Sequence, residues 1–256
     1  MLELPIQLPD GKKWYFASDF HLGIPDLNRS HEREKKIIRW LNSVRSDAAA
    51  IFLMGDIFDF WFEYKRTVPK GFIRLQGCLA ELTDSGIPIY LFPGNHDMWM
   101  SDYLEKEMGA KIFFDPIVVN CRNKRLLIGH GDGLGPGDKT YKILKKIFRS
   151  PLARFAFRWL HPDIGIALAH KWSKSSRISN QKQEEKFKGE DREFLLAWCR
   201  EQESKNHHDY YIFGHRHLPL DLTAGNNSRY INLGEWVHFS PFAVFDGNNL
   251  ELKHFE

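Results

Sequence analysis

Five short apolar runs in this chain each break into a turn that carries side chains able to bind a metal ion. "KWYFA" leads into "SDFHLG" with Asp19 and His21, and "AAAIFLM" leads into "GDIFD" with Asp56. "IPIYLF" is followed by "PGNHD" with Asn95, His96 and Asp97, "RLLI" by "GHGDG" with His130, and "YYIF" by "GHRH" with His215 and His217. Alternate residues of a strand point the same way, so Asp19 and His21 can share one target. Open α/β sheets build their sites at the carboxyl ends of strands, and the glycines in these turns permit tight bends and close backbone approach. A chain that repeats this ending five times is constrained to bring those ends together.

The stretches between them supply the layers. "HEREKKIIRWLNSV" sets Ile37, Ile38, Leu41 and Val44 at helical spacing, and "GFIRLQGCLAELTDSG" reads as a helix closed by Gly86. The continuous apolar run "AAAIFLM" suits a strand covered on both faces. Near the C-terminus "DYYIFGH", "RYINLG", "FAVFD" and "LELKHF" read as short strands, joined by turns such as "AGNNS" and "DGNN". The expectation is an α/β layered fold, one domain over 1–256, whose later strands form a second sheet. Residues 134–189 break the rhythm with a helical insertion, "TYKILKKIFRSPLARFAFRWLHP", rich in aromatic and basic residues. It is expected either to pack on the main body or to form a lid over the site.

Charge and cysteine usage narrow the setting. The net charge of +3 conceals a segment, 139–188, that carries 13 Lys/Arg against 3 Asp/Glu. Such a segment in an otherwise acidic chain suggests an anionic partner: a phosphate, a nucleic acid or an anionic lipid surface. Cys78, Cys121 and Cys199 are odd in number and form no C-x-x-C pattern, so they read as reduced thiols of a cytosolic protein. The N-terminal "MLELPIQLPDGKK" has no apolar core of a signal peptide, and no run of about eighteen apolar residues spans a bilayer.

Seven oxygen and nitrogen donors without a thiolate suit hard or borderline cations such as Mn²⁺, Fe²⁺ or Zn²⁺. Two such ions, roughly 3.5–4 Å apart, need a bridging carboxylate, and together they activate water and clamp phosphate oxygens. Asp56 is the natural bridge, because it lies between the "DFH" pair and the "GNHD" turn.

In this order, D-x-H, G-D, G-N-H-D, G-H and G-H-x-H resemble the calcineurin-like metallophosphoesterases. The resemblance implies a two-sheet αββα sandwich, with Asp19, His21, Asp56 and His217 on one ion and Asp56, Asn95, His130 and His215 on the other. A finer resemblance lies in "GDIFDFWFE", "HGDG", an insert ending in "SKSSRISN", and the tail "INLGEWVHFSPFAVFDGNNLELKHF". These are similar to the UDP-2,3-diacylglucosamine hydrolases of lipid A biosynthesis. That family implies a Mn²⁺-dependent diphosphatase, peripheral on the cytoplasmic face of the inner membrane, that releases UMP and 2,3-diacylglucosamine 1-phosphate.

On that reading Asn95 and His96 hold phosphate oxygens and Asp97 orients His96. Phe148, Leu152, Phe155, Phe157, Trp159 and Leu160 could line an apolar slot, and Ser173, Lys174, Arg177, Asn180 and Lys182 would bind substrate. Many members of that family read G-N-R-D where this chain has His96. Arginine stabilises charge but delivers no proton, whereas histidine can do either. Diphosphate cleavage, whose leaving group is a weak base, needs only the first. No nucleic-acid or obligate protein partner is implied. The competing readings are a broad phosphodiesterase or nuclease, and a metal-free scaffold that uses the same fold for protein contacts.

Overall fold

The computed structural model describes residues 1–137, 139–169, 171, 173 and 186–256. Two six-stranded sheets lie face to face. The first is ordered β1 (Leu2–Pro5), β6 (Ile117–Cys121), β7 (Lys124–Ile128), β8 (Tyr210–Phe213), β10 (Ser228–Leu233) and β9 (Pro219–Gly225). The second is ordered β12 (Leu250–His254), β11 (Pro241–Phe245), β2 (Lys13–Ala17), β3 (Ala48–Leu53), β4 (Ile89–Leu91) and β5 (Lys111–Ile112).

The period of two along each strand builds four layers. Trp14, Phe16, Ala50 and Phe52 from one sheet meet Leu126, Ile128, Tyr210 and Ile212 from the other, forming the core between the sheets. The intervening Tyr15, Ala17, Ile51 and Leu53 face outward onto α1 (Leu27–Val44) and α2 (Ile73–Asp84). On the far side, Leu127, Tyr211 and Phe213 pack against Leu195, Leu196 and Cys199 of α7 (Phe194–Glu203). This is the αββα arrangement that the family resemblance implies.

Helix α1 begins earlier than its apolar spacing suggests, because the Asp26 side chain caps it by accepting from the Arg29 N–H at 2.9 Å. Gly86, at φ 84°, closes α2 in the left-handed conformation as expected.

One expectation is corrected. The later strands do not all join the second-half sheet, since β11 runs antiparallel to β2 with Ala243 opposite Phe16. All five residues of β11 are buried. A wholly apolar strand needs cover on both faces, and the position beside β2 provides it.

In the insertion, α4 (Lys139–Phe148) and α5 (Pro151–Arg158) are followed by α6, helical over 162–169. They rest on an aromatic patch of the main body. The Trp99 indole N–H donates to the Phe148 carbonyl at 2.7 Å, and the Phe157 ring packs tilted against Trp99 and Phe62, with centroids 4.7 Å apart in each pair.

Candidate metal centre

The five turns converge where the carboxyl ends of the two sheets meet. Strands β2, β3 and β4 deliver Asp19, His21, Asp56 and Asn95 from one sheet, while β7 and β8 deliver His130, His215 and His217 from the other. Neighbouring turns are laced by backbone bonds: Asp19 N–H to Gly55 O at 2.9 Å, His21 N–H to Asp56 O at 2.9 Å, and Gly214 N–H to His130 O at 2.9 Å. Asp19, His21, Asp56, His215 and His217 all have positive φ, between 44° and 68°. Each such residue costs on the order of 1 kcal/mol or more, a strain that persists only where surrounding structure imposes it.

Two glycines could be nothing else. A Cβ on Gly94 would lie 2.2 Å from Asp56 Oδ1 and 2.6 Å from His130 Nε2, and one on Gly214 would lie 2.4 Å from Asp19 Oδ2.

The donors form two groups that share one residue. Asp19, His21, Asp56 and His217 offer ligand atoms that all lie within 4.8 Å of one another. In the second group, Asn95 Oδ1 lies 2.9 Å from His215 Nδ1 and 3.3 Å from His130 Nε2, and His130 Nε2 lies 3.5 Å from Asp56 Oδ2. Cis ligands on an octahedral ion with bonds of about 2.1 Å sit roughly 3 Å apart, so these spacings suit ligation. Asp56 Oδ1 is occupied, accepting the His96 N–H at 2.8 Å. Its Oδ2 is buried with no hydrogen-bond partner among the described residues. A buried carboxylate oxygen left in that state calls for a cation, and the donor set fits one. That same Oδ2 lies 3.5 Å from His130 Nε2 and 3.9 Å from His21 Nε2.

The electrostatics agree. Complete burial works to raise the Asp56 pKa, yet His130, His96 and His21 hold it well below the usual carboxylate range. Burial likewise opposes charge on His130, but Asp56, Asp19 and Asp132 lift it to about 10. His215 is pushed down to about 4, by burial first and by the charge on His130 next. The His130 Nδ1–H donates to Met54 O at 2.7 Å, which turns Nε2 toward Asp56.

The expected role of Asp97 in orienting His96 is corrected. The buried Asp97 carboxylate accepts from Gly94 N–H at 2.7 Å, Ile57 N–H at 2.8 Å and Phe58 N–H at 3.3 Å, clamping the "GDIFD" and "GNHD" turns together. Burial, then the charge on Asp56, raises its pKa to about 7. It is Asp59 and Ser173 that touch His96. The His96 Nδ1 lies 3.1 Å from Asp59 O and 3.1 Å from Ser173 Oγ, and that hydroxyl lies 3.1 Å from Asp59 Oδ2. Ser173 thus lies beside His96, whereas Lys174, Arg177, Asn180 and Lys182, also expected to bind substrate, lie outside the described residues.

The residues expected to line an apolar slot divide between two faces of the insertion. Leu152, Phe155 and Trp159 share one face of α5, which is exposed, while Phe157 on the opposite face meets the body. One helix face can pack inward at a time, and Phe157 takes it. Phe148 fills space against Trp99 at 5.4 Å.

Arg33 escaped the sequence reading. Its Nε donates to Phe20 O, and its Nη2 to His21 O and Ile24 O, each at 2.6 Å, so α1 grips the backbone of the "DFH" turn. Burial lowers its pKa to about 10. The available signal was an arginine in phase with the buried Ile37, Trp40 and Val44 of α1.

A two-sheet sandwich with histidine, aspartate and asparagine donors at the strand ends defines a metal-dependent phosphoesterase. The chain belongs to the calcineurin-like phosphoesterase family, whose profile matches residues 13–219, and the cluster is its divalent-metal site. Among individual proteins, the chain is 38% identical to UDP-2,3-diacylglucosamine hydrolase of Porphyromonas gingivalis, over 95% of this chain and 98% of that protein. It is 28% identical to the enzyme of that name from Stutzerimonas stutzeri, over 89% of this chain and 98% of that protein. The Shewanella baltica enzyme of the same name is 26% identical, over 94% of this chain and 97% of that protein.

Proposed function

We propose that this protein hydrolyses the diphosphate bond of UDP-2,3-diacylglucosamine, giving UMP and 2,3-diacylglucosamine 1-phosphate for lipid A biosynthesis. The observation that carries the reading is near full-length similarity, at 38% identity, to a hydrolase of that name, in a chain whose ligand-type residues converge. Asp19, His21, Asp56 and His217 would hold one ion, and Asp56, Asn95, His130 and His215 would hold the other. When bound, two divalent ions, Mn²⁺ in this reading, supply Lewis-acid activation of water and a clamp on phosphoryl oxygens.

The protein's own groups do the rest. The strained turns fix the donors before substrate arrives, so little reorganisation is left for the reaction. Asn95 and His96 meet the phosphate oxygens. With Nδ1 of His96 engaged 3.1 Å from Asp59 O, the other ring nitrogen, Nε2, is the atom left for the substrate. The described residues of the 134–189 insertion, which pack on the body through Phe148 and Phe157, act as a lid on a single domain.

No described helix is long and apolar enough to cross a membrane. The exposed Ile143, Ile147, Leu152, Phe155, Trp159, Ile164 and Leu168 of the insertion, among lysines and arginines, suit peripheral contact with the anionic cytoplasmic face of the inner membrane.

The test is UMP release by the purified protein supplied with Mn²⁺. The kcat/KM for UDP-2,3-diacylglucosamine should exceed that for bis(p-nitrophenyl) phosphate at least a hundredfold. The reverse ranking would make the protein a broad phosphodiesterase.

A further inference from the structure

A cleft of about 550 Å³ opens beside the second group of donors, with His130 at its lining. One wall is apolar and partly aromatic, including Phe113 and Phe114. The other comes from α4 and the residue that follows it, and presents Lys142, Lys145, Lys146 and Arg149 against the carboxylates of Asp132 and Asp115. Lys145 pairs with the buried Asp132 at 2.6 Å. The pair of Arg149 with Asp115 at 3.1 Å is at the surface and easily exchanged for another anion. Lys146 is exposed and has no ion-pair partner among the described residues. Phe114 is 40% exposed, with the Arg149 guanidinium 5.9 Å from its ring centroid. A flat aromatic surface and spare positive charge, adjoining a phosphoesterase centre, are the two elements that hold a nucleotide: stacking for the base and cations for the phosphate.

We infer that this cleft holds the nucleotide half of the substrate, with the base against Phe114 and the nucleoside phosphate between Lys146, Arg149 and the metal centre. The inference rests on the function proposed above and extends it to the base-recognition contacts. It also assigns the two sides of the centre. The nucleotide lies on the His130 side, and the lipid-bearing sugar leaves toward His96 and Ser173. The apolar wall could instead take an acyl chain, and the experiment distinguishes the two.

Calorimetric titration of UMP, ribose 5-phosphate and inorganic phosphate into the protein supplied with Mn²⁺ tests the assignment directly. The wild type should bind UMP at least tenfold tighter than ribose 5-phosphate. Phe114→Ala should bring that ratio to within about twofold of unity, and Lys146→Glu should weaken UMP about tenfold. Both positions are exposed, so the variants are expected to melt like the parent. UMP binding no tighter than ribose 5-phosphate in the wild type, or an unchanged ratio in Phe114→Ala, would overturn the proposal even if UDP-2,3-diacylglucosamine were hydrolysed. A ratio that follows Phe114 in a protein that leaves that lipid intact would uphold the nucleotide site and remove the substrate assignment instead.

Discussion

The metal rim and the helical insertion are built by opposite rules. At the rim, Asp19, Asp56 and Asp97 are fully buried, the turns are tied to one another through their backbones, and five ligand-type residues sit in a disfavoured conformation. In α4 and α5 no residue is buried, and Leu152 and Trp159 are 77% and 78% exposed. One region spends packing to hold strained donors still. The other leaves apolar side chains of its described residues exposed. Strain can be stored only where neighbours over-determine the backbone, and adaptable contact is available only where they do not.

The sharpest way to break this contrast is at the shared carboxylate. Asp56→Ala removes the atom common to both groups, so activity should fall about a thousandfold or more and bound metal, measured by elemental analysis, should drop from near two ions toward none. Full metal content in a folded Asp56→Ala protein would mean that the rim is not the centre. Next in size is Gly94→Ala. Its new Cβ would press on Asp56 Oδ1 and His130 Nε2. A displacement of about 1 Å at such a site costs on the order of a hundredfold in rate. Wild-type kcat in Gly94→Ala would show the rim to be more compliant than its packing implies.

A third prediction concerns protons. In the metal-free protein His130 stays protonated to about pH 10, because Asp56, Asp19 and Asp132 outweigh its burial. A metal needs the neutral ring, so loading at neutral pH must expel that proton. Metal affinity should therefore rise about tenfold per pH unit from pH 7 to 8.5, read by titration in buffers of different ionisation enthalpy. For the metal-free fold the sign is opposite. The folded value of about 10 lies above the ordinary 6.5, so the stabilising contribution is whole below about pH 6.5 and is lost as pH rises through 10. Affinity independent of pH would remove His130 from the ligand set.

The rim was largely legible in the sequence because its signal is local and repeated. A strand of period two followed by glycine and a donor announces both the element and its end. The alternation of strand and helix signals gave a layered α/β fold, and the αββα sandwich was what the family resemblance implied. What was not legible depended on partners distant in sequence. Nothing in "PGNHD" says that Asp97 will turn to Ile57 and Phe58 rather than to its neighbour His96. Three bonds to backbone N–H groups outweigh one contact next door. Strand β11 joins the sheet of β2 across more than two hundred residues, a choice made by burial on both faces. In the insertion, the spacing of Leu152, Phe155, Phe157 and Trp159 was plain, but composition alone does not say which helix face turns inward.

That face provides the smallest and most discriminating test. Phe157 packs on Phe62, Trp99 and Tyr64, so Phe157→Ala should loosen the insertion by about 2 kcal/mol, seen as faster hydrogen exchange over α4 and α5. Trp159 is 78% exposed, with its ring 6.1 Å from that of Phe155, and Trp159→Ser should leave stability within about 0.5 kcal/mol. Its effect should appear instead in sedimentation with anionic phospholipid vesicles, weakened severalfold, because an interfacial tryptophan contributes only when a bilayer covers it. If Trp159→Ser costs stability and spares vesicle binding, the exposed face is a packing surface of the fold, and the division between a rigid rim and an outward-facing insertion does not hold.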